Sequence, residues 1–328
     1  MRGERRLSEF RGFSRPPFHS PAIMATPSDI LLGSLIGDAL ALGPHWIYNQ
    51  REIHEKLGRV TTYQPPLAIY HAGKMTGDFT HYGDQTLVLL RSIAETGGFD
   101  LGNFASAWQA FWENPATIAY RDSATKTTLA HLRSDSSPAS TSDDIAGAVR
   151  IAPLFLLDWE NDDALLTAVR SQTAFTHGDP AVIEAAEFFA CVTLAVQRGT
   201  AIKAALLKTQ DRGIWQALSA EWLANARESA TFDETDSAAL HRHGLSCRVG
   251  DAFPGICHLL LRHPENPTLA LIENANAGGD SAARGMILGL VYGARFPITT
   301  WPGGWSAGLR ARDEIDGLIH QLAKSKHA

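Results

Sequence analysis

The sequence predicts an all-α fold in one domain, and three observations carry that expectation. Apolar residues recur at helical spacing in segment after segment. Polar caps, prolines and glycines punctuate the ends of those segments. No series of alternating β-branched residues reads as strands, and no internal repeat is visible.

Taken in order, Ser28 stands as a helix cap before Ile30, Leu31, Leu35, Ile36 and Ala39, and Gly43-Pro44 ends that helix. Residues 45–82, with Pro65-Pro66 and several aromatics, read as a loop. Asp84 then opens a helix through Leu87, Val88, Leu90 and Ile93, stopped by Gly97-Gly98. Asp100 caps a segment with Phe104, Ala107, Trp108, Phe111 and Trp112 on one face, the pattern of a core rather than of a stacking platform. Residues 133–144 read as a loop and 145–157 as a helix, and Asp162 or Asp163 starts another. Asp179-Pro180 joins a polar cap to a proline at the first helical position and opens the longest helical pattern, through Phe189 and Val196. Further helices are expected at 214–228, 250–262, 267–275, 281–294 and 309–323.

Of the 328 residues, 45% are hydrophobic and 20% charged, with a net charge of -6, the profile of a globular chain. A mildly acidic balance argues against a dominant electrostatic hold on nucleic acid, which usually needs a basic face, and leaves room for a local patch. Cys191, Cys247 and Cys257 show neither disulfide nor zinc spacing, which suits a reducing, cytoplasmic compartment. The runs Leu31–Leu42 and Met286–Val291 are too short to span a bilayer, so no membrane partner is expected. Residues 1–24 lack the apolar core of a secretory signal and read as a disordered, extended start rather than a transit peptide, leaving 25–328 as the folded domain.

Two acidic helix starts are the foremost functional candidates: Gly83-Asp84-Gln85-Thr86 and Gly278-Gly279-Asp280-Ser281. Asp84 can cap backbone donors or serve as an oxygen ligand. Gly278 and Gly279 permit a tight turn and close approach of a ligand, and the helix N-terminus after them offers N–H groups suited to phosphate. Ala282, Ala283, Gly285, Gly289 and Gly293 along that helix point to close helix packing.

The ordered set Gly33-Ser34-Leu35-Ile36-Gly37-Asp38-Ala39-Leu40, Tyr82-Gly83-Asp84-Gln85-Thr86, Thr176-His177-Gly178-Asp179-Pro180, Gly278-Gly279-Asp280-Ser281 and Phe296-Pro297-Ile298-Thr299-Thr300-Trp301 resembles the ADP-ribosylglycohydrolase family. Pro44-His45-Trp46-Ile47-Tyr48 and the Gly-Asp-Gln-Thr form are similar to its J1-crystallin branch. The resemblance implies a single, orthogonally packed helical bundle. It also implies hydrolysis of a glycosidic bond in an ADP-ribosyl or related ribosyl substrate, carried by a small molecule or a protein. Family enzymes hold two magnesium ions between a Thr-Asp-Asp and an Asp-x-Asp-Thr/Ser helix start. Here those become Gly83-Asp84-Gln85 and Asp280-Ser281-Ala282-Ala283, so two of four carboxylates are missing. Asp144-Ile145-Ala146 likewise stand where the family has Gly-Asn-Gly before its central arginine, here Arg150.

The expected metal is therefore one Mg²⁺ rather than two, shared by Asp84 and Asp280 and completed by the Gln85 carbonyl oxygen and the Ser281 hydroxyl. Without metal, Asp84 and Asp280 take general-base and hydrogen-bonding roles. His45 replaces a family glutamate and is the candidate acid, because imidazole titrates near neutrality; His81 and His177 read more readily as structural. Gly278, Gly279 and Ser281 are expected to hold phosphate. Trp46, Tyr48 and Tyr82 either stack on adenine or ribose or close the core. The rival to an enzyme is a catalytically silent, crystallin-like binding or structural protein.

Overall fold

The computed structural model describes residues 24–134 and 136–325, so all but the last residue of the expected 1–24 arm lies outside it. Sixteen α-helices follow one another: α1 (Pro27–Ala41), α2 (Gln50–Leu57), α3 (His81–Thr96), α4 (Leu101–Glu113), α5 (Ser123–Arg133), α6 (Ala146–Val149), α7 (Asp162–Thr176) and α8 (Pro180–Gln197). Then come α9 (Ile202–Gln210), α10 (Ala220–Ser229), α11 (Asp236–His243), α12 (Val249–Arg262), α13 (Pro267–Ala277), α14 (Ser281–Gly293), α15 (Gly303–Ala307) and α16 (Arg312–Ser325). Among the described residues there is no strand, and the all-α expectation holds.

Several boundaries differ from the sequence reading. Thr26, not Ser28, caps α1, and Asp29 Oδ2 accepts from both the Thr26 N–H and its hydroxyl at 2.7 Å. The expected 45–82 loop contains α2, capped by the Asn49 side chain accepting from Arg51 N at 3.0 Å. Residues 145–157 are not one helix: α6 gives way to a 3₁₀ stretch, Ala152–Leu156, because Pro153 can neither donate nor fit in a continuous α-turn. α10 starts only at Ala220, since Glu184 holds the N–H groups of Gln216, Ala217 and Leu218 in a turn. Helices α5, α9, α11 and the short α15 lie outside the expected set. Asp84 is not a cap: α3 begins at His81, Thr80 Oγ1 accepts from Tyr82 N at 3.1 Å, and Asp84 sits one turn in.

The centre of the bundle is the antiparallel pair α1 and α14, buried from Ile30 to Ala41 and from Ser281 to Gly293. Gly33 faces Gly289 and Gly37 faces Gly285, so the backbones touch where any side chain would overlap a carbonyl. This pairing brings the end of α1, and the loop after it, beside the start of α14. By length and composition α8 alone among the described helices could cross a bilayer, which the sequence reading passed over. Its Val182, Phe188, Phe189, Val192 and Val196 are instead buried in the core, against helices that include α7, α9 and α12.

Candidate active site

The site forms where three loops meet the N-terminus of α14. Gly278 and Gly279 both take positive φ, +73 and +60, and a Cβ on either would overlap the carbonyl oxygen of Ile47 or Leu245. Their turn is stitched to the loop after α1: Trp46 N donates to Gly279 O at 2.7 Å and Gly279 N to Ile47 O at 2.9 Å. Trp46 pays for that stitch by adopting φ +62, the one non-glycine residue with positive φ among those described.

Those contacts correct the phosphate expectation. Gly278 N donates to Ala275 O, Asp280 N to Leu245 O, Ser281 N to Gly279 O and Ala282 N to His45 Nδ1. With Gly279 N also taken, five successive amides of the turn already have acceptors. The turn ties neighbouring segments together and leaves none of these five amides for an anion.

His45 is buried, and because its Nδ1 accepts from Ala282 at 3.3 Å, its proton lies on Nε2, which has no partner. Burial, helped by His71, His81 and Arg284, pushes its pKa well below the usual value. His45 is thus a neutral N–H donor and not an imidazolium acid at neutral pH. Asp280, also buried, accepts from Tyr82 Oη at 3.1 Å, while its Oδ1 lies 3.5 Å from His45 Nδ1 without a hydrogen bond. The Ser281 hydroxyl is buried and unpartnered beside it.

Asp144 and Cys247 complete this centre. With Asp280 they present three ligand-type atoms within 4.8 Å of one another. Burial raises the pKa of both carboxyls, and for Asp144 the nearness of Asp280 raises it further. Two carboxyls this close disfavour each other's ionisation, and the upward push is the stronger on Asp144, because Arg284 and the Tyr82 hydroxyl favour the charged form of Asp280. The Cys247 thiol, itself pushed up by burial, donates to Asp144. Sequence reasoning noticed Asp144 only as a departure from a family motif. That acid in place of a small residue was the signal.

Asp84 faces elsewhere. Both its oxygens are held by Lys74 Nζ, at 2.8 and 2.6 Å, and the two side chains are only 13% and 11% exposed. Burial raises its pKa to about 7, against the pull of Lys74. Asp38 behind it accepts from Thr80 N at 2.7 Å and Thr80 Oγ1 at 2.5 Å. Gln85 turns away from both acids: its Oε1 accepts from Trp108 Nε1 at 2.7 Å and Arg150 Nη1 at 3.1 Å, and its Nε2 donates to His81 O. Both lone pairs of that oxygen are used, so the expected Gln85 ligand is withdrawn. A shared Mg²⁺ does not fit this arrangement: Asp84 is engaged by an ammonium, Gln85 by a core network, and the group around Asp280 includes a thiol, a soft donor poorly suited to a hard cation.

A cleft of about 310 Å³ opens above, lined by Tyr70, His71, Lys74 and residues 117–120. Inward from it Trp46 lies 5.2 Å from His71, 5.3 Å from His81 and 5.0 Å from Tyr120, centroid to centroid, and stacks on His45 at 4.6 Å. His81 packs on Tyr82 at 3.9 Å and approaches Asp122 to 3.3 Å. Trp46 is therefore a wall between cleft and centre, Tyr82 is buried and supports Asp280, and Tyr48 is half exposed. His177 is structural, its Nδ1 on Thr176 Oγ1 at 2.8 Å.

A chain from a solved ADP-ribosylglycohydrolase-related protein complex shares this fold, with a TM-score of 0.71 and 22% identity over 91% of this chain and 96% of that one. Crystallin J1A of Tripedalia cystophora is 21% identical, over 90% of this chain and 95% of the crystallin. An uncharacterised protein of Archaeoglobus fulgidus is 26% identical over 89% of this chain and 94% of its own. The family model for ADP-ribosylglycohydrolase matches residues 28–328. The chain belongs to the ADP-ribosylglycohydrolase family, and its general class of chemistry is glycosidic hydrolysis.

Proposed function

We propose that this chain hydrolyses the N- or O-glycosidic bond of an ADP-ribosyl or related ribosyl conjugate at the Asp144–Asp280 pair, in the cytoplasm. One observation carries the reading: Asp144 and Asp280 present carboxylate oxygens within 4.8 Å of each other, and among the described residues neither forms an ion pair with a lysine or arginine. Glycoside cleavage needs one carboxylic acid to protonate the leaving group and one carboxylate to assist at the sugar carbon. Asp144 supplies the proton and Asp280 the charge, held in orientation by the Tyr82 hydroxyl. The free His45 Nε2–H donates to a sugar oxygen, and Tyr70, Tyr120 and Trp46 supply faces for a ribose or base. No step passes through a metal ion.

The test is Asp280→Asn, which keeps shape and removes charge. Release of ribose from ADP-ribosyl conjugates is expected to fall at least about 100-fold, with binding retained, while unchanged turnover would sink the assignment. A panel of diphosphate-bearing and plain ribosides then separates the two substrate classes. The lost carboxylates and the likeness to Crystallin J1A favour a second reading, a silent binding protein, which predicts no release of ribose from any member of that panel.

A further inference from the structure

The Lys74–Asp84 pair sits in the same cleft as the reading just given, which this inference deepens. Lys74 is not a loose surface side chain. Its segment is fixed on both sides: Lys74 N donates to His71 O at 3.0 Å, Met75 N to Asp78 Oδ2 at 2.7 Å, and Asp78 pairs with Arg310 at 3.0 Å. Gly77, at φ +84, lies so close to Gly308 that a Cβ would overlap its carbonyl oxygen, and Arg310 N donates back to Gly77 O. The loop thus delivers one ammonium to both oxygens of one buried carboxylate. Two neighbours of Asp84 have partners of their own: Asp38 accepts from Thr80, and Gln85 from Trp108 and Arg150.

We propose that the Lys74 ammonium is the resident cation of Asp84, and that it excludes a divalent ion from that carboxylate in the working protein. An ammonium brings three donors and a single charge. Two donors are spent on Asp84, which leaves one on a side chain that lines the cleft. A ligand entering there meets a protein-borne N–H instead of a metal-bound water, so hydroxyl or phosphoryl oxygens are recognised without any metal requirement.

Mg²⁺ titration by calorimetry and by thermal shift, on the whole chain without substrate, tests this apart from catalysis. Wild type and Asp84→Asn are expected to respond identically to millimolar Mg²⁺ and to chelator. Lys74→Met, which frees Asp84, is expected to bind Mg²⁺ at least tenfold more tightly than wild type, and the added Asp84→Asn change abolishes that gain. Lys74→Arg, which keeps the charge, behaves as wild type. A wild-type isotherm that disappears in Asp84→Asn overturns the proposal, as does equal affinity of wild type and Lys74→Met. If Lys74→Met fails to fold, the comparison of wild type with Asp84→Asn still decides. Absence of ribose release would count against the proposed reaction and leave these binding outcomes untouched.

Discussion

Substituting Gly285 by alanine reaches the site through its scaffold. A Cβ there would stand 2.5 Å from Gly37 O, 3.0 Å from Gly37 C and 3.1 Å from Asn274 Nδ2. Ordinary contact begins at 3.4 Å, so α1 and α14 must part by about 0.9 Å at this level. Overpacking of this size costs about 3 kcal/mol, offset by about 1 kcal/mol from replacing a helical glycine. At about 2.1 cal/mol/K per residue, a chain of 328 residues unfolds with an entropy near 0.7 kcal/mol/K, so the net loss lowers Tm by about 3 °C. The larger effect is at the site, one turn away, where Ala282 N reaches His45 Nδ1 at only 3.3 Å. A shift of that size breaks the contact, frees the His45 ring from the start of α14 and lowers turnover by about 100-fold. Scanning calorimetry and ribose-release kinetics check both. The control is Gly317→Ala in α16, where the added methyl meets nothing within 4 Å and stability should rise by about 0.5–1 kcal/mol. Were Gly285→Ala to behave like Gly317→Ala, the close-packed scaffold argument would fail.

Two further outcomes follow from buried polar groups. Arg150→Met strips donors from Gln85 Oε1, Gln172 O and Thr176 Oγ1, and should cost about 3 kcal/mol in denaturant unfolding; a loss below about 1 kcal/mol would mean that water replaces the guanidinium. Burial, with His81 and Lys74 nearby, lowers the His71 pKa from 6.5 to about 3, so the unfolded chain takes up a proton that the folded one refuses. Its contribution is complete above pH 6.5 and lost as pH falls toward 3, about 1.4 kcal/mol per unit. His71→Phe, at a ring whose nitrogens have no partners, should therefore make Tm fall less steeply between pH 6.5 and 4.5; an unchanged slope would refute the burial account.

Sequence alone revealed the helices whose ends carry their own chemistry. Asp179 before Pro180 and Asp100 before Leu101 became caps as expected, because a cap bonds to residues two or three positions away. The small residues of α14 likewise announced a close partner. α2 was invisible since QREIHEKL contributes a single buried side chain, Ile53, and presents no apolar stripe. In the site, Asp280, Tyr82 and His45 were legible from the motifs that hold them. The occupancy of the 278–282 amides was not, because the acceptors come from Ile47, Leu245 and His45, brought in only by tertiary folding. The same holds for Asp144 beside Asp280, and for Lys74 on Asp84. Local pattern names candidate groups, whereas long-range packing decides which of them remain free.

That distinction separates the buried acids of this bundle. Asp84 is neutralised by Lys74, Asp38 is satisfied by Thr80, and Asp122 is held below the usual carboxylate range by His81 and the Thr125 N–H in spite of its burial. Each has a fixed partner of its own: the Lys74 ammonium, the Thr80 donors and the His81 ring. Asp280 and Asp144 instead lie against each other: Asp280 accepts from the Tyr82 hydroxyl and its charge is favoured by the buried Arg284 guanidinium, while Asp144 accepts from Ala146 N at 2.9 Å and from the Cys247 thiol. A proton shared between the two relieves their mutual repulsion, and carboxyls that interact in this way suit acid–base work. The fold thus gives Asp84, Asp38 and Asp122 partners of their own and sets Asp144 and Asp280 against each other.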